Sequence, residues 1–505
     1  MNFGENDMNS YRSLSRRDFL RYVSAGAGAL ACAGVPVWTG CRAQGSHAGS
    51  ALMQPRFDPD QDIRPLLSEE AFRAIVNATR GAAKIDSFAL QLRDVITDVT
   101  RFDLQQIFED RSQSRPVLKI LVEAQGQRGF ATANELTPDA AAAAVKNALA
   151  AAQDVGADSA LATIANLQPQ RYFILPTFRL DTARADARRR ACAAERAVAE
   201  LASFNAPYTG ALSTTREIVG VANNRGLFAY EARTRAELLL KIGASPRTLP
   251  IAAVNRSIDD LEIVESIRRW TAAWHVHEQE QFDAPGLCTL VLGPEAAAQL
   301  AYLLLESAAA RDVSSNASPA DLPQIAPEIT IRNDPQQPAL LGRGFNDLGC
   351  ATDARAWFEH GKYVRRTTDD AILASLPDAL NVFGENPRAA NTAALIKSVD
   401  QGLYIAAFDA VDPKASTPSA FSTRSRLGVF RIENGALTGV VRRELRIDPS
   451  RTFVGVSAYS SSLPAVINSM PSAGQNSSTE CVKTLAPAML IEDFDGNALS
   501  TQTRA

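Results

Sequence analysis

The sequence predicts an α+β protein, with a mixed α/β N-terminal half followed by a β-rich C-terminal half. Three observations carry this. Helix-like and strand-like patterns alternate from Ser68 onward, Asn- and Gly-bearing turns separate apolar alternating runs in both halves, and the helix after Pro294 is apolar on nearly every side. With 505 residues, 46% of them hydrophobic and 21% charged, the chain is long enough for two or three domains that each bury a core. Lys and Arg total 52 against 56 Asp and Glu, a net charge of −4, and no long block of one sign occurs. That balance offers no footprint for phosphate backbones, so nucleic acid is not expected as a partner.

Residues 1–41 read as an address. Ser15-Arg16-Arg17-Asp18-Phe19-Leu20-Arg21 precedes a modestly apolar, Ala- and Gly-rich run from Tyr22 to Trp38. A receptor-read Arg16-Arg17 pair followed by a weakly apolar core is the pattern of a twin-arginine export signal, which places the protein in the periplasm or envelope. The run is too short and too rich in Gly to span a bilayer. Trp38-Thr39-Gly40-Cys41 resembles a lipoprotein cleavage box with Cys41 as the lipidation candidate, and Ser46-His47-Ala48 serves equally as the end of a soluble-secretion signal. A lipid on Cys41 is therefore the one expected link to a membrane. Residues 42–64, rich in Gln, Gly, Ser, Asp and Pro without periodicity, read as a linker.

The N-terminal α/β domain is expected over 65–285. Ser68-Glu69-Glu70 caps a helix to Thr79, Val117 to Ala124 form a strand running to Gly126, and Thr137-Pro138-Asp139 opens an Ala-rich helix to Ala152. A helix is predicted over Asp181–Phe204, with Arg188-Arg189-Arg190 on a solvated face. Ile218 to Ala222, a turn at Asn223-Asn224-Arg225-Gly226-Leu227 and an alternating return from Phe228 to Leu240 make a hairpin, since Asn and Gly tolerate the positive φ of a tight turn. The β-rich domain is placed over 286–505. It opens with a buried helix from Glu295 to about Arg311 and contains a second hairpin turning at Asn434-Gly435, with Val429 to Glu433 and Ala436 to Val441 as its arms. The cysteines beyond Cys41 are widely spaced in apolar or helical contexts, so no disulfide framework is expected.

No Gly-x-Ser-x-Gly elbow, Gly-Lys-Ser phosphate loop or dinucleotide fingerprint is present. The local cluster that invites chemistry is Trp274-His275-Val276-His277-Glu278-Gln279-Glu280-Gln281. A zinc-protease helix needs a second His one turn after the His-Glu pair, and Gln281 and Phe282 stand there instead.

Several segments, in order, resemble the TldD/PmbA family, also called modulators of DNA gyrase and related to metallopeptidases. They are Gln127 to Asn134, Tyr208-Thr209-Gly210, Asn223 to Gly226, Val291-Leu292-Gly293-Pro294, Phe345-Asn346-Asp347-Leu348-Gly349, Gln401 to Ile405, Ile432 to Gly435 and Cys481-Val482-Lys483. The resemblance covers about residues 85–495 and implies a fold of the TldD/PmbA type. In the TldD-type subunits of this family, the helix after Val-Leu-Gly-Pro carries His-Glu-x-x-x-His, two zinc ligands and a base, and a C-terminal Cys completes the site. Counted from Val291, this sequence has Tyr302 and Leu303 at the His-Glu positions and Ser307 at the second His. Cys481 falls at the position of the ligand Cys, yet one thiolate cannot hold a catalytic zinc.

In this respect the chain resembles the PmbA, or TldE, subunit. The resemblance implies no cofactor on this chain, zinc on a TldD-type homologous partner, and an unfolded peptide as substrate, bound as an added strand. A homodimer is the other assembly considered. Phe358-Glu359-His360-Gly361-Lys362 and the brief segment Asn386 to Asn391 depart from the family's pattern, so peptide specificity is not carried over. Two other readings stay open: a zinc peptidase with a displaced site using His275, His277, Glu278 and Cys481, and a stand-alone periplasmic peptide-binding protein.

Overall fold

The structure is a computed structural model that describes residues 65–103, 106–152, 159–202, 204, 206–244, 247–272, 276, 286–314, 323–364, 379–409, 420–442, 444–468 and 482–496. Arg16, Arg17, Cys41, the linker, His275, His277, Glu278 and Cys481 lie outside the described residues.

The N-terminal half is built on one antiparallel sheet. Helix α1 (Glu69–Gly81) begins where the Ser68 hydroxyl accepts the Ala71 N–H, and buries Phe72, Ile75, Val76 and Thr79 along one stripe. Strands β1 (Ser87–Asp103), β2 (Gln106–Ala124) and β3 (Gln127–Ala133) form a meander. Helices α2 (Pro138–Ala150), α3 (Ser159–Asn166), α4 (Leu180–Ala183) and α5 (Ala187–Leu201) follow. Strands β4 (Tyr208–Asn223), β5 (Phe228–Ala244) and β6 (Arg247–Asn255) complete the sheet in the order β3-β2-β1-β4-β5-β6, and α6 (Ile263–Thr271) follows.

Period-two alternation decides the layers. Phe88, Leu90 and Leu92 of β1 face α1 and α2, while Ala89 and β4 residues Val219 and Val221 face α3. The far half of the sheet is covered by α5 and α6, through Ala194, Ala197, Ile263 and Ile267 against Leu212, Leu238, Leu240 and Ile251.

Three expectations change here. The helix predicted over Asp181–Phe204 is broken into α4 and α5, because the Asp186 carboxylate accepts the Arg189 N–H at 2.7 Å and so starts a new helix. The Arg188-Arg189-Arg190 run is not one solvated face. Arg188 and Arg189 are exposed, but Arg190 is buried and its guanidinium spans both Asp110 oxygens at 2.9 and 3.0 Å. A helix turns 100° per residue, so three consecutive residues cannot share a face. The strand expected from Val117 is also much longer, since the polar residues before it pair in register with β1.

The C-terminal half holds two mixed six-stranded sheets with a helix in the core they share. Strand β7 (Leu287–Leu292) leads into α7 (Pro294–Ser314). Strands β8 (Ile329–Asn333), β9 (Ala356–Glu359), β10 (Lys362–Tyr363) and β11 (Ala379–Gly384) come next, then α8 (Thr392–Lys397) and β12 (Gln401–Ile405). Strands β13 (Phe421–Arg424), β14 (Val429–Glu433), β15 (Ala436–Val441) and β16 (Glu444–Ile447) precede α9 (Pro449–Val454). The last strands are β17 (Val456–Tyr459), β18 (Ala465–Asn468), β19 (Val482–Leu485) and β20 (Met489–Asp495).

One sheet runs β10-β9-β8-β11-β19-β18, the other β15-β14-β12-β7-β20-β17, and β13 pairs with β16. Within them, β11 with β19 and β12 with β7 are the parallel pairs. Helix α7 supplies Leu300, Ala301, Leu304 and Leu305 to a core that also takes Leu290 and Leu403 from one sheet and Ile329 and Leu380 from the other. An apolar surface all round is what a helix between two layers requires. No helix among the described residues is long and apolar enough to cross a membrane.

Candidate functional site

The three positions that the family resemblance singles out lie on α7. Tyr302 and Leu303 are buried, Leu303 within the main core, and Ser307 is half-buried. A phenol, an aliphatic chain and a hydroxyl supply neither imidazole nor carboxylate base, so the zinc implied by the TldD type does not fit these residues. Among the described residues, no three His, Cys, Asp or Glu side chains converge as metal ligands. One turn beyond Tyr302, burial pushes the Glu306 carboxyl up to about 7. It is the single acidic residue in the apolar stretch between Glu295 and Arg311, a signal visible in the sequence and overlooked by motif matching.

The described cysteines are free thiols, Cys192, Cys288 and Cys350. Burial pushes Cys288 up to about 11, with Asp495 adding to it, and also raises Cys350. Neither is an activated nucleophile, because it is the thiolate that reacts.

A cavity of about 620 Å³ opens near the start of α7. Its walls come from β1, β4, β5, β6 and α6 of the N-terminal half and from the start of α7, Arg426, β18 and β19 of the C-terminal half. Glu295, in the first turn of α7 where a negative charge suits the helix dipole, receives the Arg269 guanidinium at 3.2 Å. Arg426 stacks over the Trp270 ring at 5.5 Å and sits 3.6 Å from Asp409. Of the other basic residues in the lining, Arg101, Lys241 and Lys483, the last is 4% exposed, and among the described residues neither an ion pair nor a hydrogen bond holds its ammonium. Burial lowers the ammonium's pKa and Arg269 adds to the effect, while Glu262 opposes it. These charged residues were not singled out from the sequence. Lys483 stands in the quoted Cys481-Val482-Lys483 marker, where attention to the metal drew the reading to the Cys.

The Phe345 to Gly349 motif builds a joint between the two halves. The Asn346 side-chain oxygen accepts the Leu348 and Cys350 N–H groups, both at 3.0 Å, which folds the segment back on itself. Gly349 adopts φ +80° where a Cβ would come 2.9 Å from Val221, so glycine is required. Arg233 of β5, 1% exposed, donates to the Phe345 carbonyl at 3.1 Å and pairs with Glu231, and Glu231 also accepts the Gly344 N–H at 2.9 Å. The divergent Phe358 to Lys362 segment is a tight hairpin. His360 and Gly361 take positive φ of 47° and 76° between paired Glu359 and Lys362, as a two-residue primed turn demands.

The comparisons agree with this architecture. The family model described as PmbA/TldA metallopeptidase C-terminal domain matches residues 285–495. No curated protein is matched by the sequence. Among solved structures, TldE from Thermococcus kodakarensis superposes with a TM-score of 0.66 at 16% identity, covering 84% of this chain and 99% of that one. A candidate modulator of DNA gyrase from Bacteroides thetaiotaomicron gives 0.64 at 17% identity over 85% of this chain and 98% of that one. Another from Thermotoga maritima gives 0.62 at 15% identity, over 84% and 98%. At such identities the likeness speaks for the fold. Residues 285–495 thus match the PmbA/TldA metallopeptidase C-terminal domain, and the chain as a whole shares the fold of TldE and of these modulator structures.

Proposed function

We propose that the protein is the metal-free, TldE-type half of an exported peptidase that acts on unfolded peptides, its zinc-bearing half being a homologous TldD-type chain. The observation that carries the reading is helix α7, where Tyr302, Leu303 and Ser307 occupy the positions of the family's zinc ligands and base and offer no donor set for the metal. The likeness to a TldE structure supports it, and so do the sheet edges beside the cavity, which suit a peptide added as a strand. Export rests on the Arg16-Arg17 pattern, and an envelope anchor on Cys41.

The test is to purify the mature protein gently from its own envelope and measure zinc in each co-purifying chain. The expected result is zinc on a homologous partner, none on this chain, and peptide cleavage that needs both. Cys481→Ser should leave the activity of the pair unchanged. Stoichiometric zinc on this chain by itself would overturn the proposal and direct attention to His275, His277, Glu278 and Cys481. A partnerless monomer that holds unfolded peptide without cleaving it would instead establish the stand-alone binding protein.

A further inference from the structure

Among the basic residues that line the cavity between β6 and β18, Lys483 is buried and no described residue holds it by an ion pair or a hydrogen bond, with Glu262 of the same lining acting on it only at longer range. Arg269 is held by Glu295 and Arg426 faces Asp409, so those two guanidinium groups are already answered within the chain. A buried ammonium without a directly bonded counter-charge costs several kcal/mol unless an anion joins it.

The walls indicate what kind of molecule brings that anion. Each of β6 and β18 ends its sheet and has a single ladder partner. Consecutive residues of both, Pro250 to Val254 and Ala465 to Ile467, line the cavity. Side chains alternate between the faces of a strand, so an unbroken run of lining residues means that strand edges border the space. An edge with unpaired N–H and C=O groups recognises extended backbone. Leu240, Ile251, Trp270 and Val466 add an apolar patch to the wall, beside the polar Thr209, Lys241, Glu262 and Ser266.

We propose that this cavity is a subsite for the carboxylate end of an extended peptide, with Lys483 as its counter-ion. A single buried ammonium matches a monoanion, whereas a phosphate dianion is better served by the bidentate fork of an unengaged Arg. The proposal rests on the reading of the protein as a binder of unfolded peptide and adds the feature by which it selects a peptide terminus.

The experiment measures binding of two labelled, unstructured peptides of identical sequence to the full chain, one with a free C-terminal carboxylate and one amidated. Wild type is compared with Lys483→Met, which keeps the length of the side chain, and urea unfolding verifies that the variant is folded. Wild type should prefer the free carboxylate by about tenfold or more. In Lys483→Met the preference should vanish while affinity for the amidated peptide is retained. Equal binding of both peptides by wild type would overturn the subsite and leave the peptide-binding reading standing. If neither peptide binds, that reading falls, and hexanoate decides the subsite separately. A rise in Tm in wild type that is lost in Lys483→Met supports the carboxylate site, and no difference between the two proteins overturns it.

Discussion

Arg233 and Glu306 are both charged groups with little solvent, and they act on stability in opposite ways. Arg233 is held by Glu231 and the Phe345 carbonyl, and its guanidinium lies 5.4 Å from the Phe345 ring. Arg233→Ala strands Glu231 in a nearly dry site and should lower stability by about 3–5 kcal/mol, read as a lower urea midpoint. Glu306 works the other way. Its folded pKa of about 7 lies above its ordinary 4.5, so between these values the native state holds more protons than the unfolded chain. Stability therefore falls as pH rises from about 4.5 to about 7 and stays lowered above that range. Glu306→Gln, which copies the neutral acid, should raise stability at pH 8 by on the order of 2 kcal/mol and change little at pH 4, as paired urea titrations would reveal. A lone Glu in an apolar helix was legible in the sequence. The full set of contacts of Arg233 was not, because Glu231 stands two residues away on the same strand but Phe345 is brought to it from more than a hundred residues on.

At the scale of elements, caps and alternation carried most of the information. Ser68 and Thr137 start α1 and α2 as expected because each side-chain oxygen accepts an N–H three residues on. Both hairpins follow from residues that tolerate positive φ, Gly226 in one and Asn434 with Gly435 in the other. The break between α4 and α5 was hidden, since an Asp inside a polar, Arg-rich stretch looks the same whether it caps a helix or faces solvent. Gly129 of β3 sits where a Cβ would fall 1.8 Å from the Ala148 carbonyl oxygen of α2. Gly129→Ala must push helix from strand and should cost about 2–4 kcal/mol in urea unfolding. Ala301, 0% exposed in α7, tests the central helix. Ala301→Asp should leave the C-terminal half unfolded or insoluble on expression, because an unpaired carboxylate would sit between two packed sheets.

Across the whole molecule, the sheets divide at residue 286 while the packing does not. Strands before it form the antiparallel sheet, and strands after it form the others. Yet Gln91 and Tyr172 donate to the carbonyls of Asp347 and Gly349, and Arg256 donates to those of Leu341 and Gly342. A fragment of residues 65–285 expressed without this cover would expose Val219, Val221 and Leu227, which pack with Phe345. It should bind a hydrophobic dye and aggregate where the full chain does neither. The sequence by itself determined the fold class, most helix starts and both hairpins, because propensity, capping and alternation are local properties of the chain. Only the tertiary structure decided that β6 and β18 border one cavity, that Arg269 and Arg426 are answered by Glu295 and Asp409, and that Lys483 is buried there with no ion pair or hydrogen bond among the described residues. Burial and charge pairing are set by residues hundreds of positions apart, and no local pattern records which of them meet.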